Sequence, residues 1–332
     1  MTRLKSLSLP FVALAFGLGL AACAADDEPV DAADAAEFAG DPELAPAADV
    51  EPADDRPDAD PDDDAFVLDA APGDEVEIAE GIAAVVPEPG DGVVMEVLYD
   101  DGAMYIADLA TDEEGIVRLR LPGLGFSDGG VSHACASKCT DTSYKLLPHK
   151  WNQRINWYYR DANRPSSVGK TGTIDALKYA ASTSTGSRNS CGMADQVSAT
   201  HTYKGTTSTA PNISASGGVI SCNTGDGKNV VGWATSFPSG TLGVACTWRS
   251  GGAATETDQK YNNQKSWFAG NSAPSGCSNR FSLRAVAAHE FGHSFGLDHS
   301  GCYQTMAPST APCASGGRML GKGDVKGLRA LY

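Results

Sequence analysis

A cluster of histidines near the C-terminus is the part of this sequence best suited to chemistry. The run HEFGHSFGLDHS carries His289, His293 and His299. Residues four apart share one face of a helix, so His289 and His293 can point at a single metal ion. Gly296 lets the chain leave the helix with a positive φ, and His299 can then turn back as a third nitrogen ligand. Three protein ligands leave one tetrahedral position open, which predicts one catalytic zinc ion.

Glu290 follows the first of these histidines, so its carboxylate is expected beside the metal and not on it. Zinc lowers the pKa of a bound water, and Glu290 can accept the proton as general base and pass it to a leaving amine. The full pattern, HExxHxxGxxH, fixes a glycine and a third histidine as well as the common HExxH core. The residues therefore predict hydrolysis of peptide bonds.

The sequence around this motif resembles the metzincin metallopeptidases, and among them the matrixin-like group. FSLRAVAA (residues 281–288) resembles the first half of the active-site helix, and Met306 resembles the methionine of the Met-turn below the zinc site. The final residues, DVKGLRALY, resemble the closing helix of matrixins. ETDQKYN (residues 256–262) is similar to the acidic strand segment of bacterial relatives.

The resemblance implies an α+β fold, with a twisted mixed sheet, an active-site helix and a small C-terminal subdomain. It also implies a zinc endopeptidase that acts on extended polypeptides bound along an edge strand above the cleft. Leu242–Trp248 is the candidate for that strand.

Three features of the family are absent from the sequence. The remaining histidines, His133, His149 and His201, lack the spacing of a second, structural zinc site, so none is predicted. The pro-segment cysteine motif of animal matrixins is missing, as is the tyrosine two residues after Met306. Transition-state stabilisation is then expected from zinc and backbone groups.

The N-terminus has the pattern of an export signal. Residues 1–22 combine Arg3 and Lys5 with an apolar run too short to span a membrane comfortably, which predicts a signal peptide. The sequence LAAC, ending at Cys23, resembles a bacterial lipobox. We expect lipidation of Cys23 and a membrane-anchored lipoprotein of the outer membrane or cell surface. The alternative is ordinary signal cleavage and a secreted protein.

Residues 23–64 form the next segment, the lipidated Cys23 followed by an acidic tract. From Ala24 to Asp64 the tract holds 17 acidic residues and one basic residue, Arg56. Such a composition predicts a disordered tether that is extended by self-repulsion. Calcium binding by the tract is conceivable on charge alone and has no other support.

Residues 65–130 change to short apolar runs with turn signals, which predict a small β-rich domain, either a pro-segment or a spacer. A hairpin is predicted with its strands at Val93–Tyr99 and Ala103–Leu109, on either side of Asp-Asp-Gly. A further strand is predicted at Val117–Leu121.

The charge of the chain is divided between its two halves. Residues 65–130 carry 15 acidic and 2 basic side chains, whereas residues 131–332 carry 10 acidic and 20 basic ones. Opposite charges attract, so we hypothesise that the acidic β-rich domain docks on the catalytic domain and shields its cleft. The alternative is a solubilising charge distribution without docking.

The catalytic domain is assigned to residues 139–332. Strands are predicted at Ile155–Arg160, Val219–Cys222 and Val230–Thr235, in addition to the candidate edge strand. A helix is predicted at Ile174–Ser184, capped by a threonine hydroxyl just before it.

The cysteines suggest an exported, oxidised protein. Setting Cys23 aside leaves eight of the nine, an even set that predicts four disulfides. Cys302 with Cys313 is the expected brace of the Met306 loop, and Cys222 with Cys246 could join neighbouring strands. Zinc binding by Cys135 and Cys139 is the alternative to a disulfide there.

The preferred function is a zinc metalloendopeptidase. One alternative is a surface-binding lipoprotein on the same scaffold that lacks turnover, although the intact Glu290 argues against it. Another is an enzyme that acts mainly on its own N-terminal segment. The basic residues are scattered and form no stripe with aromatic residues, so no nucleic-acid partner is expected.

Overall fold

The structure is a computed structural model that describes residues 65–100, 104–121, 137–301, 303–308 and 310–332. These residues lie within one compact unit. The predicted signal peptide, Cys23, the acidic tether and the centre of the predicted hairpin turn lie outside the described residues.

Short strands dominate the described chain, and three α-helices accompany them. The strands are β1 (Phe66–Leu68), β2 (Glu75–Ala79), β3 (Ile82–Val85), β4 (Asp91–Tyr99), β5 (Met104–Thr111), β6 (Val117–Arg120), β7 (Ile155–Tyr159), β8 (His201–Thr206), β9 (Ile213–Ser216), β10 (Val219–Cys222), β11 (Asn229–Ala234), β12 (Thr241–Ser250), β13 (Ala253–Asn262), β14 (Ser266–Phe268) and β15 (Arg280–Ser282). The helices are α1 (Lys170–Thr185), α2 (Leu283–Ser294) and α3 (Lys322–Leu331), with a 3₁₀ turn at Gly316–Arg318.

The largest sheet is mixed and has the strand order β1-β6-β5-β4-β12-β13-β11-β7-β8. β13, β11, β7 and β8 run parallel to one another, whereas β12 is antiparallel to both of its neighbours. β11 is buried at every position, as expected for a strand covered on both faces. The mixed sheet with its few helices agrees with the predicted α+β metzincin fold.

The N-terminal strands continue this sheet. β4 pairs with β12 along nearly its whole length, and Val97 lies opposite Val244. On one face, β4, β5, β6 and β12 pack against a second sheet, of order β2-β3-β10-β9, around a shared apolar core. The strands predicted within residues 65–130 correspond to β4, β5 and β6.

A separate core lies between the large sheet and the helices. It contains large buried aromatic side chains such as Trp157, Trp233 and Phe291. The rings of Trp157 and Phe291 lie 5.5 Å apart, so the sheet and α2 meet directly. α1 packs against α2 as well. Both contacts fix the helix that carries the metal-binding motif.

Two helix boundaries differ from those predicted. α1 begins four residues before Ile174, and its N-cap is Gly169, so the prediction of a threonine cap was wrong. Thr173 donates its hydroxyl back to the Gly169 carbonyl, which lies within the first turn. α2 begins at Leu283 and not at Phe281, because Phe281 is held in β15 by pairing with β14.

The described disulfides join Cys139 to Cys191, Cys222 to Cys246, and Cys277 to Cys313. The prediction for Cys222 and Cys246 is confirmed. The proposed Cys302–Cys313 bridge was wrong, because the Cys313 amide donates to the Arg280 carbonyl at 2.7 Å and brings Cys313 beside Cys277.

The alternative of a zinc site at Cys135 and Cys139 is also contradicted, since the Cys139 sulfur is bonded to Cys191. Cys135 and Cys302 themselves lie outside the described residues. No helix within the described part of the chain has both the length and the apolar character needed to cross a membrane.

Candidate metal centre

The local sequence of α2 explains how it presents the histidines. Ser282 caps the helix by accepting a hydrogen bond from the Ala285 amide at 3.3 Å. The helix ends at Ser294, and Gly296 follows with φ of +93°. A side chain at Gly296 would collide with the backbone carbonyl of His149, so both the conformation and the space require glycine. The predicted turn out of the helix at this glycine is confirmed.

The structure brings all three predicted histidines together. The Nε2 atom of His289 lies 3.0 Å from that of His293 and 3.2 Å from that of His299. Nitrogen ligands of a tetrahedral zinc ion, each about 2.0–2.1 Å from it, lie about 3.3 Å apart. The three atoms therefore have the spacing of ligands around one ion.

Backbone carbonyls set the tautomers of two of these rings. Nδ1 of His289 donates to the Thr305 carbonyl at 2.9 Å, and Nδ1 of His293 donates to the Leu297 carbonyl at 2.8 Å. A carbonyl only accepts, so each Nδ1 carries the proton and each Nε2 keeps a free lone pair. Burial also lowers the pKa of His293 and His299 well below the ordinary value, which favours the neutral, metal-binding form.

Glu290 is fully buried on the same helix, beside the sheet. Neither of its carboxylate oxygens has a hydrogen-bond partner among the described residues. Burial raises the pKa of Glu290 well above its usual range, and the charge of Glu96 raises it further. A side chain at Gly243 of β12 would overlap the Glu290 carboxylate. Gly243, which sequence analysis did not single out, therefore gives Glu290 its space.

Met306 packs beneath α2, as the resemblance implied. It is buried, and a side chain at Gly292 would collide with its sulfur atom. The carboxylate of Asp324 in α3 accepts hydrogen bonds from the amides of Thr305, Met306 and Gly321. Asp324 lies in the segment that resembles the closing helix, but its link to the Met306 turn could not be read from sequence spacing.

Glu96 is the residue of the site that sequence analysis missed. Its Oε1 lies 3.6 Å from Nε2 of His289, 3.7 Å from that of His293 and 3.9 Å from that of His299. Burial raises its pKa to about 8. The sequence signal that could have identified Glu96 is its position as the lone acidic residue in the apolar strand VVMEVLY (residues 93–99).

The four side chains Glu96, His289, His293 and His299 form a group that could hold a metal ion, with their ligand atoms all within 4.8 Å of one another. A cation bound between three converging lone pairs and a buried carboxyl group would be stabilised by all four. The donor set, imidazole nitrogens with one carboxylate oxygen, is one that zinc accepts.

The other histidines are placed differently. His149 is buried behind α2, where its Nε2 donates to the His293 carbonyl at 3.0 Å. His201 lies in β8, between Trp157 and Ser182. His133 lies outside the described residues.

The mixed sheet, the capped helix and the histidine cluster resemble those of matrixin-like metzincins. Comparison with known proteins supports this: residues 222–332 match the family model for matrixin. The chain is also similar to matrix metalloproteinase-20 of Homo sapiens, with 38% identity over 96 residues, which is 29% of this chain and 18% of that protein. It thus spans less than a fifth of the length of this curated relative. The predicted resemblance to matrixin-like metzincins is confirmed.

Proposed function

We propose that this protein is a zinc-dependent endopeptidase that hydrolyses peptide bonds in extended polypeptides. The observation that carries the proposal is the convergence of three imidazole Nε2 atoms on α2 and the turn after it, with the Glu290 carboxylate beside them.

His289, His293 and His299 would hold the ion. When bound, zinc supplies a Lewis acid that polarises a water molecule and the scissile carbonyl. Thr305 and Leu297 orient the first two rings through their carbonyls. These hydrogen bonds fix the orientation of the rings before the ion binds, so the side chains lose less conformational entropy on binding it.

Glu290 acts as the proton carrier. Its carboxylate accepts a proton from the attacking water and delivers it to the amine that leaves when the peptide bond breaks. Burial raises the pKa of Glu290, so the protonated state that the second step needs is accessible. Gly243 leaves the space in which this carboxylate lies.

Extended substrates would bind along β12. This strand contains the predicted Leu242–Trp248 segment, but the prediction of an edge strand was wrong, because β12 pairs with β13 on one side and β4 on the other. Backbone hydrogen bonds to such a strand hold a peptide irrespective of most of its side chains, which suits an enzyme that cuts polypeptides.

The test uses the full chain, as wild type and as Glu290→Ala and His293→Ala variants. Zinc content is measured in each, and casein cleavage is followed before and after limited proteolysis. We expect one zinc per chain in wild type and Glu290→Ala, little zinc in His293→Ala, and cleavage by wild type alone. Asp175→Ala, an exposed change on α1, is the matched control and should behave as wild type.

Absence of zinc from folded wild type would overturn the proposal. One zinc per chain with no cleavage in either condition would instead favour a surface-binding protein on this scaffold.

We further propose that the protein is exported and anchored to the outer membrane or cell surface through lipid on Cys23. The support is the charged and apolar pattern of residues 1–22 and the LAAC sequence. Secretion without an anchor is the alternative outcome.

A further inference from the structure

The edge of β12 is already occupied in the intact chain. β4 runs antiparallel to it, with Leu98 opposite Gly243, Glu96 opposite Ala245 and Val94 opposite Thr247. The strand that would bind an extended substrate therefore has an extended segment of the same chain hydrogen-bonded along it.

β4 is held in this position by more than strand pairing. Arg249 of β12 makes two hydrogen bonds to the buried carboxylate of Asp108 in β5, at 2.9 and 3.0 Å. Lys265 contacts Asp100 just after β4. These ion pairs join the acidic N-terminal strands to the basic C-terminal part of the chain. Pairs that are largely shielded from water retain more of their attraction than exposed ones.

The register of β4 directs one side chain at the metal centre. Side chains alternate along a strand, so Val93, Met95 and Val97 enter the core between the two sheets. Glu96 therefore points to the opposite face, toward α2. There its Oε1 lies within 3.9 Å of Nε2 of each of His289, His293 and His299.

Glu96 has no basic neighbour other than these histidines in the described ion pairs, and its other close partner is the carboxyl group of Glu290. Glu96 is 1% exposed, and neither of its oxygens has a hydrogen-bond partner among the described residues. No lysine or arginine is paired with it in the described ion pairs, where its contacts are the three histidines. A buried carboxyl group that lacks such partners carries its charge at low cost only when it coordinates a cation.

We propose that Glu96 is the fourth ligand of the metal in the intact chain, and that β4 holds the enzyme latent by occupying the place of an extended substrate. The inference rests on the proposed function. Glu96 takes the position that the reactive water needs, and β4 takes the hydrogen bonds of β12 that a peptide needs. Each of these two obstacles lowers the rate at which a polypeptide is cut, and the replacement of Glu96 removes one of them.

The test compares the full-length wild type with Glu96→Gln and Glu96→Ala. Zinc affinity is measured by competition with a chromophoric chelator, and thermal unfolding is recorded with and without zinc. Loss of a ligand should weaken zinc binding on the order of tenfold or more. Zinc should raise the unfolding temperature of wild type more than that of Glu96→Gln, because the variant binds the ion more weakly. A residue with only a packing role would leave both the zinc affinity and this zinc-dependent rise unchanged.

Glu75→Gln is the matched control, since Glu75 lies in β2 of the other sheet and is partly exposed. It should leave zinc affinity at the wild-type value. In the casein assay, the rate of cleavage by full-length Glu96→Gln should be at least tenfold higher than that by full-length wild type.

Equal zinc affinity in wild type, Glu96→Gln and Glu96→Ala would overturn the assignment of Glu96 as a ligand. Equal casein cleavage by wild type and Glu96→Gln, whether fast or absent, would overturn latency through this residue. Failure of the wild type itself to bind zinc would count against the proposed function, and so the two failures are distinguishable.

Discussion

The Asp324 carboxylate is hydrogen-bonded to the backbone amide of Met306, with Oδ1 at 3.3 Å, so the closing helix α3 holds the turn beneath the metal centre. The other oxygen accepts from the amide of Thr305 at 2.7 Å. Because the Thr305 carbonyl in turn accepts from His289, one carboxylate in α3 positions both the Met306 turn and a candidate zinc ligand.

Replacing Asp324 with alanine should destabilise the protein. The change leaves buried amides of Thr305, Met306 and Gly321 without their acceptor, and each such loss costs about 1–3 kcal/mol. We expect a loss of about 3 kcal/mol or more in the free energy of unfolding in urea, together with weaker zinc binding. Asp175→Ala, on the exposed side of α1, is the control, and an equal loss in both variants would show that Asp324 has no special role.

A methyl group at Gly243 should impair catalysis while sparing the metal. The alanine side chain would displace the Glu290 carboxylate, and a shift of about 1 Å in a reacting group can cost about 10²-fold in rate. We expect a drop of that order in casein cleavage by Gly243→Ala, measured under the conditions in which wild type is most active. Zinc content should stay at the wild-type value. Gly169→Ala is the control, because a side chain there meets nothing; unchanged activity of Gly243→Ala would contradict the prediction.

The free energy of unfolding should decrease in mild acid because His201 is buried in its neutral form. Its Nδ1 accepts a hydrogen bond from Trp157 at 3.1 Å, so its Nε2 carries the proton and donates to Ser182. A second proton would have to enter at Nδ1 against that donor, and burial lowers the pKa of His201 below 6.5.

The unfolded state therefore binds a proton more readily than the folded state. The contribution of the neutral ring is fully present above about pH 6.5 and is lost as the pH falls toward the lower pKa of the folded state. The free energy of unfolding in urea should fall more between pH 7.5 and pH 5 for wild type than for His201→Gln. Identical pH dependence in the two proteins would rule out this role of His201.

The Cys222–Cys246 disulfide should contribute strongly to stability, because it joins β10 of the smaller sheet to β12 of the larger one. The bridge closes a loop with a sequence separation of 24, for which the chain-entropy model gives about 3–4 kcal/mol. The double variant Cys222→Ala/Cys246→Ala should lose that amount in urea unfolding. If it unfolds at the same urea concentration as wild type, the bridge has no such effect.

Cys23→Ser should release the protein from membranes. Lipid attached to the cysteine is the only anchor that we predict, and its acyl chains bind a bilayer through buried methylene groups. After expression in a bacterial host, wild type should fractionate with membranes and incorporate labelled fatty acid, whereas the variant should do neither. Equal membrane retention of both proteins would contradict anchoring through Cys23.

The candidate metal centre was largely predictable, because its signals are local. His289, Glu290 and His293 share one helix, and Gly296 marks the turn that returns His299. Apolar and β-branched runs likewise gave β7, β10, β11 and β12 close to their observed bounds.

Features that depend on distant contacts were missed. Glu96 enters the metal centre only because β4 pairs with β12 in one register, and a shift of one residue would turn its side chain to the opposite face. The partner of Cys313 depends on the loop that holds it beside β15, and spacing alone does not select among the pairings. The short strands β14 and β15 are too brief to leave a periodic pattern.

The pairing of β4 with β12 also bears on how the chain folds. The two strands are separated by more than a hundred residues, and contacts so distant in sequence slow folding. Before β12 pairs with β4, the run VVMEVLY is an exposed apolar segment of the type that associates with copies of itself. Glu96 interrupts that run with a charge, as gatekeeper residues do. The carboxylate at the metal centre of the folded protein is thus expected to protect the nascent chain from aggregation.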